Sequence, residues 1–286
     1  MRRIRAVAVF PTLFTLGNLV CGFFAIVVAA RIAKPGDTVF VPSPKLDSAR
    51  ELLGSIDPTH NVMLCGVLIF IAMVFDMFDG QVARMAKVTS DFGAQLDSLC
   101  DVVSFGVAPG ILLVKMCPQF TEVHREAIWC IAALYACCTA MRLARFNVEV
   151  DDEDDHSSFE GLPSPAAAAV IASFAVFSYT VRNEINYVNF EGFDWWLQRL
   201  MPLAALTLAL LMVSRIPYPH IVTHLVKGQK SFPQLVAIVF AIMALLTVRL
   251  YAIPLLCGLY AIVPALLYAW RWGWRRRRYF LQRKAG

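Results

Sequence analysis

Asp76 to Asp101 reads DMFDGQVARMAKVTSDFGAQLDSLCD. Asp76 and Asp79 close an apolar run that begins near Val62, and Asp97 and Asp101 open another that reaches about Val114. A carboxylate at membrane depth costs roughly 2.5–3.5 kcal/mol on insertion scales. Four of them together require something to neutralise them. Helical spacing puts Asp76 and Asp79 at i, i+3 and Asp97 and Asp101 at i, i+4, so each pair shares a helix face. A turn containing Lys87 to Ser90 joins the two helices, and the pairs can then face each other.

The rest of the chain explains why these aspartates stand out. Of its 286 residues, 58% are hydrophobic and only 16% charged, against about one quarter charged in a soluble domain. Mean hydropathy is +0.61. Eight apolar runs read as membrane spans at about 8–30, 61–86, 95–116, 127–146, 164–181, 200–214, 232–248 and 251–270. Helices satisfy their own backbone in lipid, and the alternation of an outer-membrane barrel is absent. The expected fold is therefore all-α, a polytopic membrane helical bundle of about eight spans forming one domain over 1–286. Within it, a six-helix catalytic core covers about 8–215, two extra spans cover about 232–270, and a basic tail covers 271–286. The apolar N-terminal stretch reads as a retained first span, because it runs too long for a signal sequence and no cleavage pattern ends it.

With eight spans both termini lie on one side of the membrane. That side carries seventeen of the 26 lysines and arginines, including the run Arg275 to Arg278. The positive-inside rule then makes it the cytoplasmic side, and puts the aspartates at the cytoplasmic ends of spans two and three. The C-terminal WRWGWRRRRYF reads as an aromatic belt with a basic anchor for anionic headgroups rather than a nucleic-acid patch, because it abuts a span. The eight cysteines mostly fall in apolar runs, form no CxxC pair, and read as small buried hydrophobes. The five histidines have no ligand spacing. Arg31 to His60 reads as an external loop, and Asp151-Asp152-Glu153-Asp154-Asp155 as a solvated acidic loop.

Four converging carboxylates raise one another's pKa, and two divalent cations would cancel them. An all-oxygen ligand set selects Mg²⁺ or Mn²⁺ over zinc. A two-metal site suits displacement at phosphorus. Gly80 lets a ligand approach the backbone, Ala83 and Gly93 keep a cleft open, and Arg84 suits a diphosphate. At ~1.5 Å per residue, Asp76 lies about 12 Å inside Arg84. A proton or cation pathway stays open on physics alone, since carboxylates within spans also mark transporters.

The pattern Asp76-x2-Asp79-Gly80-x2-Ala83-Arg84-x8-Gly93-x3-Asp97-x3-Asp101 resembles the complete signature of the CDP-alcohol phosphotransferases. The resemblance implies a membrane enzyme in which an alcohol attacks a CDP-linked lipid and CMP leaves. It implies that Asp76 and Asp97 bridge two metals, that Asp79 completes one site and Asp101 the other, and that Asp101 is the catalytic base. Gly80, Ala83, Arg84 and Ser90 would contact the CDP moiety. A homodimer is also implied.

Three more segments are similar to the membrane-type phosphatidylserine synthases of bacteria within that family. In Pro11-Thr12-Leu13-Phe14-Thr15-Leu16-Gly17-Asn18, resemblance assigns Thr15 and Asn18 to the nucleotide. The plain alternative is that this hydroxyl and amide bond a neighbouring helix. In Arg142-Leu143-Ala144-Arg145-Phe146-Asn147, resemblance assigns Arg142, Arg145 and Asn147 to phosphate or to the acceptor, and positive-inside anchoring is the alternative. Phe159-Glu160-Gly161-Leu162-Pro163-Ser164-Pro165-Ala166 reads as a rigid lead-in to span five. The subfamily resemblance implies CDP-diacylglycerol and L-serine as substrates, with glycerol 3-phosphate or inositol phosphate as alternative acceptors. It places the protein in a bacterial cytoplasmic membrane with no nucleic-acid partner.

Overall fold

The computed structural model describes residues 9–32, 58–86, 91–117, 120, 124–149, 159–184, 190–218 and 252–284. Its helices are α1 (Val9–Ala30), α2 (Pro58–Ala86), α3 (Asp91–Asp101), α4 (Ala108–Met116), α5 (Arg125–Glu149), α6 (Ser164–Glu184), α7 (Phe190–Val213) and α8 (Ala252–Lys284). A π-helical segment, Val102–Val107, joins α3 to α4 into one continuous rod. Among the described residues six helices are long and apolar enough to cross a membrane, and α6 adds a shorter apolar stretch, Ser164–Ser178. The protein is thus a polytopic helical membrane protein. The expected span at 232–248, the loop 33–57 and the acidic run 151–155 lie outside the described residues.

Two helices exceed their expected lengths. α7 begins at Phe190 rather than near 200 and carries Gln198, which is buried, through its first half. Polar residues there hid the helix from a hydropathy reading. α8 continues beyond 270 through the basic run to Lys284, because arginine is a good helix former and nothing in that run breaks the ladder.

Large apolar side chains stand exposed on the outer surface. Leu13, Phe23, Phe24, Val74, Met77, Leu255, Leu266 and Trp270 are all exposed, an arrangement that suits lipid and not water. With no hydrophobic drive to bring helices together in lipid, close approach of small residues holds the bundle. Ala25 and Ala29 of α1 are fully buried, and the Cys65 thiol of α2 donates to the Ala25 carbonyl at 3.3 Å. A Cβ on Gly66 would sit 2.7 Å from the Ala172 carbonyl oxygen of α6. A Cβ on Gly22 would sit 2.8 Å from the Ser104 Cα in the π segment. α1 and α2 pack along their lengths, α2 rests on α6, and α6 on α8.

One end of the bundle is sewn together outside the helices. Phe159–Glu160 pairs antiparallel with Pro217–Tyr218, with Phe159 opposite Tyr218. Gly161 follows with φ +84°, which only glycine adopts without strain. Its N–H donates to the Ile216 carbonyl at 2.9 Å, and the Leu162 N–H donates to the Leu211 carbonyl at 3.0 Å. The lead-in to α6 is therefore tied to the end of α7. Of the cysteines, Cys65, Cys100, Cys117 and Cys138 are buried, as expected, whereas Cys130 and Cys137 lie exposed on α5.

Candidate active site

The C-terminal part of α2 and the second half of α3 meet at the same end of the bundle as the ribbon. Asp76, Asp97 and Asp101 each offer a carboxylate oxygen, and these oxygens lie within 4.8 Å of one another. Asp79 faces the same cluster, with its carboxyl group in hydrogen-bonding reach of Asp97. The i, i+3 and i, i+4 spacings thus converge as helical geometry requires. Asp79 and Asp101 are buried.

α1 supplies the polar partners. Thr15 Oγ1 donates to Asp79 Oδ2 at 2.5 Å, and Asn18 Nδ2 donates to Asp101 Oδ1 at 2.9 Å. Both donors are buried, and Ser104 Oγ in turn donates to the Asn18 carbonyl at 3.0 Å. Each α1 residue therefore holds one aspartate, one from each helix. The Asp97 Oδ1 atom is buried and accepts no hydrogen bond. A buried carboxylate oxygen without a donor, within a cluster made only of carboxylates, fits a hard divalent cation. Asp76, Asp97 and Asp101 can together hold a metal ion.

Gly80 faces open space, with nothing within 4 Å of a Cβ built on it. Ala83 and Arg84 continue α2 towards its end at Ala86, and Ser90 lies outside the described residues. Arg142, near the C-terminal end of α5, is partly buried and donates from Nη1 to Ser164 Oγ, the first residue of α6, at 3.0 Å. Its guanidinium lies within electrostatic range of Asp76 and Asp101. Arg145 is half-buried one turn on. Asn147 exchanges hydrogen bonds with Ser98 of α3, Nδ2 to Oγ at 2.9 Å and Oγ to Oδ1 at 3.3 Å. It thereby ties α5 to the helix carrying Asp97 and Asp101.

Sequence reasoning did not single out Ser98, Ser104 or the π segment. Ser98 had a signal, since it adjoins Asp97. Ser104 had none, because a serine in an apolar run looks like any small residue. The π segment follows Asp101 directly and admits an extra residue, re-phasing the aspartate face against the deeper half of the rod.

Carboxylates from two antiparallel helices, an open glycine step and an arginine nearby form an arrangement suited to a phosphorylated substrate carried in the membrane. A family model described as CDP-alcohol phosphatidyltransferase matches residues 8–190. A CDP-diacylglycerol–serine O-phosphatidyltransferase of Helicobacter pylori is 34% identical over 203 residues, covering 70% of this chain and 77% of that protein. One from Methanocaldococcus jannaschii is 32% identical over 207 residues, covering 70% and 82%. One from Bacillus subtilis is 29% identical over 221 residues, covering 77% and 96%. The matched region contains the whole aspartate cluster together with the α1 donors that hold it, and the chain belongs to the CDP-alcohol phosphatidyltransferase family.

Proposed function

We propose that the protein transfers a phosphatidyl group from CDP-diacylglycerol to L-serine, giving phosphatidylserine and CMP. The convergence of Asp76, Asp97 and Asp101, with Asp79 beside them, carries the chemistry. The acceptor rests on the names of the relatives and on the arginine pair beside the cluster. The acyl chains lie in lipid and the CDP moiety in the cleft beside Gly80. By the family resemblance Ala83, Arg84 and Ser90 would contact the CDP moiety, and an arginine such as Arg84 suits its diphosphate.

Asp76 and Asp97 would hold both of two divalent cations, Mg²⁺ or Mn²⁺, with Asp79 completing one set and Asp101 the other. When bound, the cations supply charge to offset the diphosphate and the departing nucleotide. Asp101 takes the proton from the serine hydroxyl. The serine oxygen then bonds to the phosphorus that carries diacylglycerol, the bond from that phosphorus to the CMP oxygen breaks, and CMP leaves with the electron pair. Asn18 and Thr15 act on this step through the carboxylates they hold, so that neither aspartate must reorient during the reaction. Arg142 and Arg145 receive the serine carboxylate, while Asn147, through Ser98, keeps that arginine pair in register with α3. The site opens to the cytoplasm, in keeping with the charge bias.

The test is CMP release by purified protein with CDP-diacylglycerol, comparing serine, glycerol 3-phosphate and inositol phosphate, with and without Mg²⁺ or Mn²⁺. Serine-dependent release that needs the cation is expected. Release with another acceptor alone refutes serine and keeps the phosphoryl chemistry. No release with any acceptor refutes both.

A further inference from the structure

Asn18 has two polar arms, and its contact with Asp101 uses only one. The side chain is fully buried on α1. Its Nδ2 donates to Asp101 Oδ1 at 2.9 Å. An ionised carboxylate only accepts, so the nitrogen must be the arm turned to Asp101, and Oδ1 is the other. That Oδ1 atom is buried and accepts no hydrogen bond. The amide is not free to turn and find a donor. Its nitrogen is fastened to Asp101, and Ser104 Oγ of the π segment donates to the Asn18 backbone carbonyl at 3.0 Å. Gly22, one turn further along α1, leaves Ser104 the room to come so close. Buried polar atoms almost always have a partner, and one without a partner beside a reactive group marks a place where a ligand brings it.

The surroundings define that ligand. Asp101 shares its neighbourhood with carboxylate oxygens of Asp76 and Asp97, all within 4.8 Å of one another. A donor that carries positive charge is favoured there. Asp101 is also the base that takes the proton from the acceptor hydroxyl. An acceptor with its hydroxyl at Asp101 therefore has its next substituent beside the amide bonded to that carboxylate. In serine the hydroxyl and the ammonium group sit on adjacent carbons, which suits two acceptors joined by a single hydrogen bond.

We propose that Asn18 Oδ1 binds the ammonium group of the acceptor, so that the site selects a 2-amino alcohol. This rests on the reading of serine as the acceptor and of Asp101 as the base. Nδ2 holds the base, and Oδ1 sets the amine of the substrate next to it. An alcohol without the amine leaves Oδ1 buried without a donor, and a site built to hydrogen-bond a group rejects the analogue that lacks it.

The test uses the full chain in lipid nanodiscs with CDP-diacylglycerol, serine and 3-hydroxypropionate, which is serine without its amine. The quantity read is the ratio of the 3-hydroxypropionate inhibition constant to the serine KM. Wild type is expected to show a ratio of about ten to a hundred, the contribution of one hydrogen bond to a charged group. Asn18→Ala removes both arms and is expected to bring the ratio within about threefold of unity. Asn18→Asp removes the donor but keeps an oxygen for the amine. It is expected to lower kcat as Asn18→Ala does, while holding the ratio at or above the wild-type value. A wild-type ratio near unity overturns the proposal. So does a ratio that survives in Asn18→Ala, or one lost equally in Asn18→Asp, since the hold on Asp101 would then set it. An Asn18→Ala protein that keeps the ratio but shows a raised liponucleotide KM, or weaker Mn²⁺ binding at equilibrium, gives Oδ1 to the nucleotide or to a cation and also overturns it. If wild-type protein releases CMP only with an alcohol that has no amine, serine and this proposal fail together. If it releases CMP with serine and the ratio is unchanged in Asn18→Ala, serine stands and the proposal alone fails.

Discussion

Asp101 and Asn18 show how much a single polar contact decides here. Asp101 is buried within a cluster of like charges and has one donor aimed at Oδ1, from Asn18. Asp101→Asn keeps the shape and removes the base. It is expected to abolish turnover, measured as CMP release, while retaining liponucleotide binding. Full activity would remove Asp101 from that role. Asn18→Ala leaves the carboxylate without its buried donor. A hydrogen bond to a charged group is worth about 1.5–3 kcal/mol, so kcat is expected to fall by about ten- to a hundredfold, with a smaller change in liponucleotide KM. A liponucleotide KM that rises instead, at constant kcat, would mean that Asn18 serves the nucleotide directly. The sequence showed both alternatives for Thr15 and Asn18, and the observed partners are aspartates. Residue type revealed that these side chains needed partners in lipid, but not which ones, because Thr15 and Asp79 are 64 positions apart and Asn18 and Asp101 are 83 apart.

At the scale of helices, small residues set the distances that bring these groups together. A Cβ at Gly22 would lie 2.3 Å from Ser104 Oγ, and one at Gly66 would lie 2.7 Å from the Ala172 carbonyl. Gly258, on α8, has nothing within 4 Å. Gly22→Ala and Gly66→Ala are expected to destabilise the protein by about 1–3 kcal/mol through overpacking. Gly258→Ala is expected to be neutral or to gain up to about 1 kcal/mol from helix propensity. Thermal unfolding in detergent checks all three, and a lower midpoint for Gly258→Ala than for Gly22→Ala would contradict the close approach of α1 to the π segment. Gly22→Ala is also expected to lower activity, since Ser104 donates to the Asn18 backbone. Hydropathy located α1, α2, α5 and α6 to within a few residues. It misjudged the start of α7 and the length of α8, because it counts apolarity, and a helix continues through polar and basic residues wherever its backbone bonds are satisfied. It carried no trace of the π segment, whose extra residue is a matter of hydrogen-bond register.

Across the whole molecule, α1, α2, α3, α5 and α6 deliver polar groups to one end of a bundle that exposes many large apolar side chains. Metal removal tests this assembly. Exhaustive chelation is expected to abolish CMP release, and Mg²⁺ or Mn²⁺ to restore it. Because a bound cation stabilises the folded state, chelation is also expected to lower the unfolding midpoint. Asp97→Asn should remove most of that shift, and undiminished turnover after chelation would refute a metal-dependent cluster. The helical class, the four aspartates and their shared faces were legible in the chain, because apolar run length and helical period are local properties that lipid enforces on any sequence. The assignments of Thr15 and Asn18 to particular carboxylates, the Arg142–Ser164 bond, the Ser98–Asn147 clasp and the Tyr218–Ala261 bond were not. Each joins segments distant in sequence, and their meeting depends on how closely glycine and alanine faces let the helices come together in three dimensions.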